Sequence, residues 1–228
     1  MNSLYVTDVG LSNTIQNPPI LNNGLVGYWS FNENTGSTIY DLSGNNNTGL
    51  FLNNPTWGYG KKGGRALNFN GINQGINLTN NGALNVTGAI GISAWVNITT
   101  NTPNPYGRII DKKYDNGFVL CHFFNTNQMY FGVNANFVTS ATTLSINTWY
   151  HVGATYDGAN LKIYINGVLD GTFGYVGSVG NGSSTITFGY DNTTSPNAEF
   201  FTGLIDEVRI YNRALTQQEI TTLYQSGL

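Results

Sequence analysis

Acid–base chemistry in this chain would have to come from twelve carboxylates, two histidines and one cysteine, and their spacing argues against a catalytic set. Glycoside hydrolysis needs two carboxyl groups about 5 Å apart, or several ångströms wider for inversion. On a single strand that means acids at i and i+2 or i+4, because neighbouring residues point to opposite faces. The glutamates are Glu33, Glu199, Glu207 and Glu219, and they make no such array. Asp206 and Glu207 are adjacent and so should diverge, while Asp111 and Asp115 span a turn signalled by Asp115-Asn-Gly117. A pair assembled from separate strands is the one route left to a hydrolase. His122 and His151 sit among aromatic and aliphatic neighbours and read as structural imidazoles. Cys121, inside Phe118-Val-Leu-Cys-His-Phe-Phe124, reads as a buried thiol. There is no His-x-x-x-His, no cysteine pair and no glycine-rich phosphate loop. No catalytic residue is assigned, and the chain is expected not to be an enzyme.

Binding chemistry is better supplied. A sugar is held by an aromatic face against its C–H groups and by short polar side chains on its hydroxyls. Tyr106, Tyr114, Phe137 and Tyr190 offer rings in loop-flanking positions, with Asn104, Asn116, Asn136 and Asn192 beside them. Tyr106, Tyr114, Phe137, Tyr190 and Asn192 are the ligand-binding candidates. A cation is the other possibility, since calcium takes six to eight oxygen ligands from carboxylates, amides and carbonyls. The turn Asp41-Leu-Ser-Gly-Asn-Asn-Asn-Thr-Gly49 offers one carboxylate and several amides, and Asp206 can supply a second carboxylate. The competing reading is an Asx turn at Asp41 and a backbone-bonded Asp206.

Composition limits the partners. Charged residues are 9% and the net charge is -3, so no basic surface exists for nucleic acid or anionic lipid, and no apolar run is long enough to insert in a membrane. Polarity comes from Asn, Thr, Ser and Gly, which suits an uncharged partner. With 40% hydrophobic residues the chain can bury a core, and with one cysteine it does so without an intrachain disulfide. The first residues lack a basic n-region and an apolar run, so no signal peptide is expected. Residues 1–24, with Asn17-Pro-Pro-Ile20 and Asn22-Asn-Gly24, read as an extended arm that either engages a protein partner or neighbouring subunit or lies on the domain's own surface. Residues 25–228 read as one domain without internal repeats.

Alternation of apolar and polar residues marks strands at 25–31, 65–70, 75–78, 90–98, 107–111, 117–124, 128–133, 150–156, 160–166, 168–173, 185–190 and 203–211. Asn166-Gly167 and Asp157-Gly158 supply the positive φ of tight hairpins. Thr216 and Glu219 make a capping box for a short closing helix with Ile220, Leu223 and Tyr224 on one face and Gly227 past its end. Lys61-Lys62 reads as a solvated turn. The expected architecture is all-β, a two-sheet antiparallel β-sandwich with a short C-terminal helix, burying Trp29, Phe31, Phe69, Trp95, Phe131, Trp149 and Ile163 between the sheets.

The closing segment Gly203-Leu-Ile-Asp-Glu-Val-Arg-Ile-Tyr-Asn-Arg-Ala-Leu215 with its helix resembles the laminin G-like branch of the concanavalin A-like lectin and glucanase superfamily. So, in order, do Leu25-Val-Gly-Tyr-Trp-Ser-Phe-Asn-Glu33, the Asp41 turn, Gly64-Arg-Ala-Leu-Asn-Phe-Asn-Gly71, Ile92-Ser-Ala-Trp-Val96, Trp149-Tyr-His-Val152 and Leu161-Lys-Ile-Tyr-Ile-Asn-Gly-Val168. The resemblance implies a concanavalin A-like jelly roll. It also implies structural calcium near the Asp41 loop, held by Asp41 and Asp206 with Asn45 or Asn47 and loop carbonyls. The Glu-x-Asp-x-x-Glu array of the superfamily's glucanases is missing here. The first functional reading is a non-catalytic carbohydrate-binding or adhesion module that meets surface glycans outside the cell, on a cell surface or on a virion. The second is a structural or virion decoration protein anchored by residues 1–24; a glycoside hydrolase is the third and weakest.

Overall fold

The structure is a computed structural model that describes residues 21–79, 82–100, 105–113, 115–180, 185–191 and 199–227. Its strands are β1 (Leu25–Trp29), β2 (Thr38–Ile39), β3 (Gly49–Leu52), β4 (Thr56–Tyr59), β5 (Arg65–Asn70), β6 (Gly75–Leu78), β7 (Ile90–Ile98) and β8 (Tyr106–Lys112). They continue as β9 (Phe118–Phe123), β10 (Gln128–Val133), β11 (Asn136–Thr139), β12 (Trp149–Tyr156), β13 (Asn160–Ile165), β14 (Val168–Gly174), β15 (Thr187–Phe188) and β16 (Thr202–Tyr211), followed by α1 (Gln217–Gln225). The first sheet runs β14-β13-β12-β7-β16-β5-β4, with β1 also on β16; the second runs β11-β10-β9-β8-β15-β6-β3-β2. Neighbours pair antiparallel throughout, and the expected β-sandwich with its C-terminal helix is the fold observed. Among the described residues no helix is long and apolar enough to cross a membrane.

Period two explains the core. On β7, Ile90, Ile92, Ala94, Val96 and Ile98 point inward and meet Phe118, Leu120, Met129, Phe131 and Val133 of the second sheet in one apolar cluster. Trp29, Phe31, Phe69 and Ile163 lie in it as expected. Trp95 does not: with Ser93 it occupies the opposite face of β7, where its ring meets His151 at 5.4 Å and Tyr224 of α1 at 5.8 Å. Trp149 is half-buried at the start of β12 and outside the cluster. Asn166 and Gly167, at φ 50° and 83°, turn β13 into β14 in the conformation a two-residue hairpin requires. The four strands the sequence did not announce, β2, β3, β4 and β11, are short and partly exposed, so their apolar residues show no sustained alternation.

The helix starts on the expected capping box: Glu219 N donates to Thr216 Oγ1 at 3.2 Å, and Thr216 N donates to Glu219 Oε2 at 2.8 Å. Ile220 and Leu223 then join Leu21, Tyr164, Tyr211 and Leu215 in a second apolar cluster outside the first sheet. Leu21 is fully buried there, and Arg213 Nε donates to Asn23 O at 2.8 Å, so the packed body already includes Leu21 to Gly24, inside the stretch expected as an arm. The remainder of that arm, residues 1–20, lies outside the described residues.

Candidate functional site

The outer face of the second sheet, across β8 to β11, carries the side chains best placed to hold a ligand. Register does the placing. Tyr106 pairs with Phe123 and Arg108 with Cys121 across β8 and β9; Tyr130 pairs with Cys121 and Gly132 with Val119 across β9 and β10; Gly132 pairs with Phe137 across β10 and β11. Directly paired residues share a face, so these side chains all stand away from the core. Tyr106 and Phe123 have ring centroids 4.9 Å apart, Phe123 and Tyr130 5.2 Å, and Tyr130 and Phe137 5.5 Å, making a continuous aromatic ledge. Phe137 is half exposed. A cavity of about 200 Å³ opens beside it, lined by Tyr106, Arg108, Cys121, Tyr130, Phe137 and Glu199 with Asn136 at the rim. At Gly132 a Cβ would meet Val119 Cγ1 at 3.0 Å and Asn136 O at 3.4 Å, so glycine lets the neighbouring strands pack closely at this part of the wall.

One end of the cavity is ionic. Arg108 is buried, contacts the Glu199 carboxylate, and has Nη1 3.6 Å from Asp111 Oδ2. Residues three apart on a regular strand face opposite ways; a bulge between Arg108 and Ile110 brings Arg108 and Asp111 to the same face. Burial works against the Arg108 charge, but Cys121, Asp111, Glu199 and Asp191 outweigh it and raise its pKa. Burial pushes the Asp111 carboxyl up to about 7, against the pull of Arg108, and it raises Glu199 as well. Burial also pushes the Cys121 thiol up to about 12, so it is no nucleophile.

The raised Asp111 has a consequence for stability. Its unfolded carboxyl titrates near 3.9. The folded protein therefore holds a proton there that the unfolded chain gives up, and this contribution is full below about pH 4 and lost as pH rises through about 7. His122 and His151, pushed by burial down to about 4 and about 3, act oppositely, favouring the fold above about pH 6.5 and blunting the wild-type profile. The comparison with Asp111→Asn isolates the carboxyl. The variant's melting temperature should rise relative to wild type between pH 5 and 8; a constant offset would show that Asp111 does not titrate in this range.

The sequence-derived candidates divide. Tyr106 and Phe137 line the cavity. Tyr190 does not: it is 8% exposed, stacks on Phe200 at 5.7 Å and donates its hydroxyl to Asn77 Oδ1, so it is a packing residue. Tyr114 and Asn192 lie outside the described residues. Arg108, Phe123, Tyr130 and Glu199 were not singled out from the sequence. Alternation within 128–133 puts Tyr130 opposite Met129 and Phe131, a signal that was available; nothing local tied Glu199 to Arg108.

Most of the expected ion ligands are already engaged, although Asn47 Oδ1 and Asp206 Oδ1 are buried without a hydrogen-bond partner. Asp41 Oδ1 accepts from Tyr28 N at 3.0 Å and Ser43 N at 2.8 Å, and Oδ2 from Asn47 N at 3.0 Å and Asn47 Nδ2 at 2.7 Å. Asn45 and Asn47 each turn their amide nitrogen on Val26 O. Asp206 lies under another loop, where Oδ2 accepts from Lys61 N at 3.0 Å. Four N–H donors satisfy the Asp41 carboxylate as an Asx staple and Asp206 is bonded to a different loop, so Asp41, as placed, is not free to join Asp206 and Asn47 in a calcium cage. Among the described residues no group of three or more His, Cys, Asp or Glu could hold a metal. Excess chelator should leave the melting temperature unchanged, whereas Asp41→Ala should cost about 1–3 kcal/mol through its orphaned donors. A chelator-sensitive melt would put an ion in the loop after all.

Asp206 and Glu207 do not diverge as a regular strand would make them. A bulge between Asp206 and Arg209, with Glu207 at φ 53°, turns both acids outward on the first sheet. Glu207 Oε2 accepts from Arg209 Nη2 at 2.9 Å and from the Tyr28 hydroxyl at 3.0 Å. Lys62 reaches to 3.8 Å of Glu207, and Lys61 lies 5.2 Å over the Trp95 ring, so this turn covers the acids and is not simply solvated. Both acids are about as buried as the core and out of a substrate's reach. His151 Nε2 is 2.9 Å from Ser93 Oγ, equally buried.

A family model described as the concanavalin A-like lectin/glucanases superfamily matches residues 70–221. No curated protein sequence matches the chain. Among solved structures, the binding domain of Paraclostridial Mosquitocidal Protein 1 is 19% identical with a TM-score of 0.71, over 90% of this chain and 53% of that one. Domain 4 of AbnA, a GH43 extracellular arabinanase from Geobacillus stearothermophilus, in complex with arabinotriose, is 25% identical with a TM-score of 0.69, over 88% of this chain and 98% of that one. The binding domain of botulinum neurotoxin DC in complex with SialylT is 21% identical with a TM-score of 0.66, over 91% of this chain and 52% of that one. The chain thus spans about half the length of the two toxin domains and nearly all of the arabinanase domain.

Proposed function

The chain belongs to the concanavalin A-like lectin/glucanases superfamily, and from that premise we propose that it is a non-catalytic carbohydrate-binding module that takes a glycan on the outer face of its second sheet. The observation that carries this reading is the ledge of Tyr106, Phe123, Tyr130 and Phe137 along the 200 Å³ cavity. Rings at the edge of a concave, partly apolar site offer the stacking surface a sugar's C–H face needs, and Asn136 and Glu199 offer hydroxyl partners. The volume is below the about 300–1,000 Å³ common for drug-sized ligands, which favours a short stretch of saccharide. The arabinanase domain, solved with arabinotriose, supports the ligand class. A module of this kind meets its glycan outside the cell.

The test is a broad oligosaccharide array probed with the full-length protein, its fold confirmed by a cooperative melt. Reproducible binding to related sugars is the expected result. A blank array would set the glycan reading aside in favour of an assembly role, in which the domain is a structural unit and residues 1–24 meet a partner. Leu21, packed with Tyr211 and Ile220, and Asn23, bonded to Arg213, would root such an arm.

A further inference from the structure

We infer that this cavity selects uncharged glycans and rejects those bearing carboxylate or sulfate groups, with the Glu199 carboxylate both accepting sugar hydroxyls and repelling anions. The inference rests on the glycan reading of the same site and adds the class of sugar.

Arg108 and Glu199 both line the cavity, but in their pair the guanidinium side chain is 7% exposed and the carboxylate 20%, so the negative partner is the more accessible one. Arg108 is further matched by Asp111 at 3.6 Å and feels Asp191 as well. Among the described residues lining the cavity no other lysine or arginine occurs. The segments that come just before Pro105 and Glu199 in the sequence, 101–104 (Asn-Thr-Pro-Asn) and 192–198 (Asn-Thr-Thr-Ser-Pro-Asn-Ala), contain no ionisable residue. Lys112 donates to Leu84 O at 3.0 Å, and neither it nor Lys113 lines the cavity.

An anionic sugar entering here would lose its water and meet a guanidinium already matched by two carboxylates, one of them at the cavity wall. Like charges brought together at a desolvated surface are strongly disfavoured, which is how a site excludes the wrong partner without added contacts to the right one. A neutral sugar has hydroxyl donors for Glu199 and for the Asn136 amide oxygen, and C–H faces for the rings. Because no net charge is exchanged, binding should depend little on salt.

The closing experiment compares neutral probes (arabino-, xylo-, manno- and galacto-oligosaccharides) with acidic ones (sialyllactose, oligogalacturonate and a sulfated galactan fragment) by titration at 50 and 500 mM salt, on wild type and Glu199→Gln. The expected result is binding confined to neutral probes and changed less than twofold by salt. The variant should lose at least tenfold in neutral affinity or gain measurable acidic binding, at an unchanged ring environment by near-UV circular dichroism. Acidic probes bound by wild type as tightly as neutral ones would overturn the charge selectivity while leaving the glycan reading standing. Folded wild type that binds neither class would remove both. A Glu199→Gln variant indistinguishable from wild type on every probe would overturn the role given to Glu199.

Discussion

Arg108→Met should destabilise the protein by about 3–5 kcal/mol at pH 7.5, the loss expected when one partner of a buried ion pair is removed and its counter-charges remain. Methionine fills much of the aliphatic volume, so the loss is electrostatic in origin. Glu199 would keep its carboxylate at the cavity wall without the guanidinium it contacts, and Asp111, already raised to about 7 by burial, would lose the one cation that lowers it. Its pKa must then rise further. A carboxyl with a raised folded pKa stabilises while protonated, so the deficit of the variant should shrink as pH falls towards 5. Denaturant unfolding at pH 7.5 and 5 measures both statements. The double variant Arg108→Met with Asp111→Asn should recover part of the loss at pH 7.5, because it removes a buried charge along with its partner. A single variant as stable as wild type at pH 7.5 would mean that water reaches this cluster freely.

Tyr130→Ala should lower glycan affinity at least tenfold, or about 1.4 kcal/mol, while leaving the fold cooperative. Tyr130 is the ring that joins the ledge: its centroid lies 5.2 Å from Phe123, 5.5 Å from Phe137 and 6.1 Å from Tyr106. Removing it separates Phe137 from the other two and widens the cavity, so the stacking surface breaks in the middle. Its ring is half-buried on the outer face, and the core beneath is made by Met129 and Phe131, so the melt should shift by only a few degrees. Tyr59→Ala is the matched control, since Tyr59 is 80% exposed on β4 of the other sheet. It should leave affinity unchanged. Equal affinities for Tyr130→Ala and wild type would move the ligand away from this ledge.

Much of the fold is legible in the amino-acid sequence. Long strands with one apolar face, such as β7, β12 and β16, announce themselves because every second side chain must reach the same core. The capping box of α1 and the Asn166-Gly167 hairpin are local devices whose chemistry is complete within a few residues. Tyr106 and Phe137 were likewise visible as rings beside amides. Errors came where period two or locality failed. Trp95 reads as core because it is large and apolar, yet it faces outward, under Tyr224 and Lys61. Tyr190 reads as a loop aromatic, yet it stacks on Phe200, which only the return of the chain brings alongside.

By itself the sequence determined the sandwich, its closing helix, the uncharged polar surface and the lack of a catalytic array on one strand. Each of these depends on residue type and short-range spacing. The tertiary structure decided where the charges went. Two bulges, after Arg108 and after Asp206, let residues three apart share a face, which put Arg108 with Asp111 and Asp206 with Arg209. A bulge is one extra residue in a ladder, and the ladder includes a partner strand far away in the chain. The same holds for the cavity: Tyr106, Tyr130, Phe137 and Glu199 become one site only through the pairing of β8 to β11 and the return of the chain to Arg108, contacts between residues that no local pattern connects.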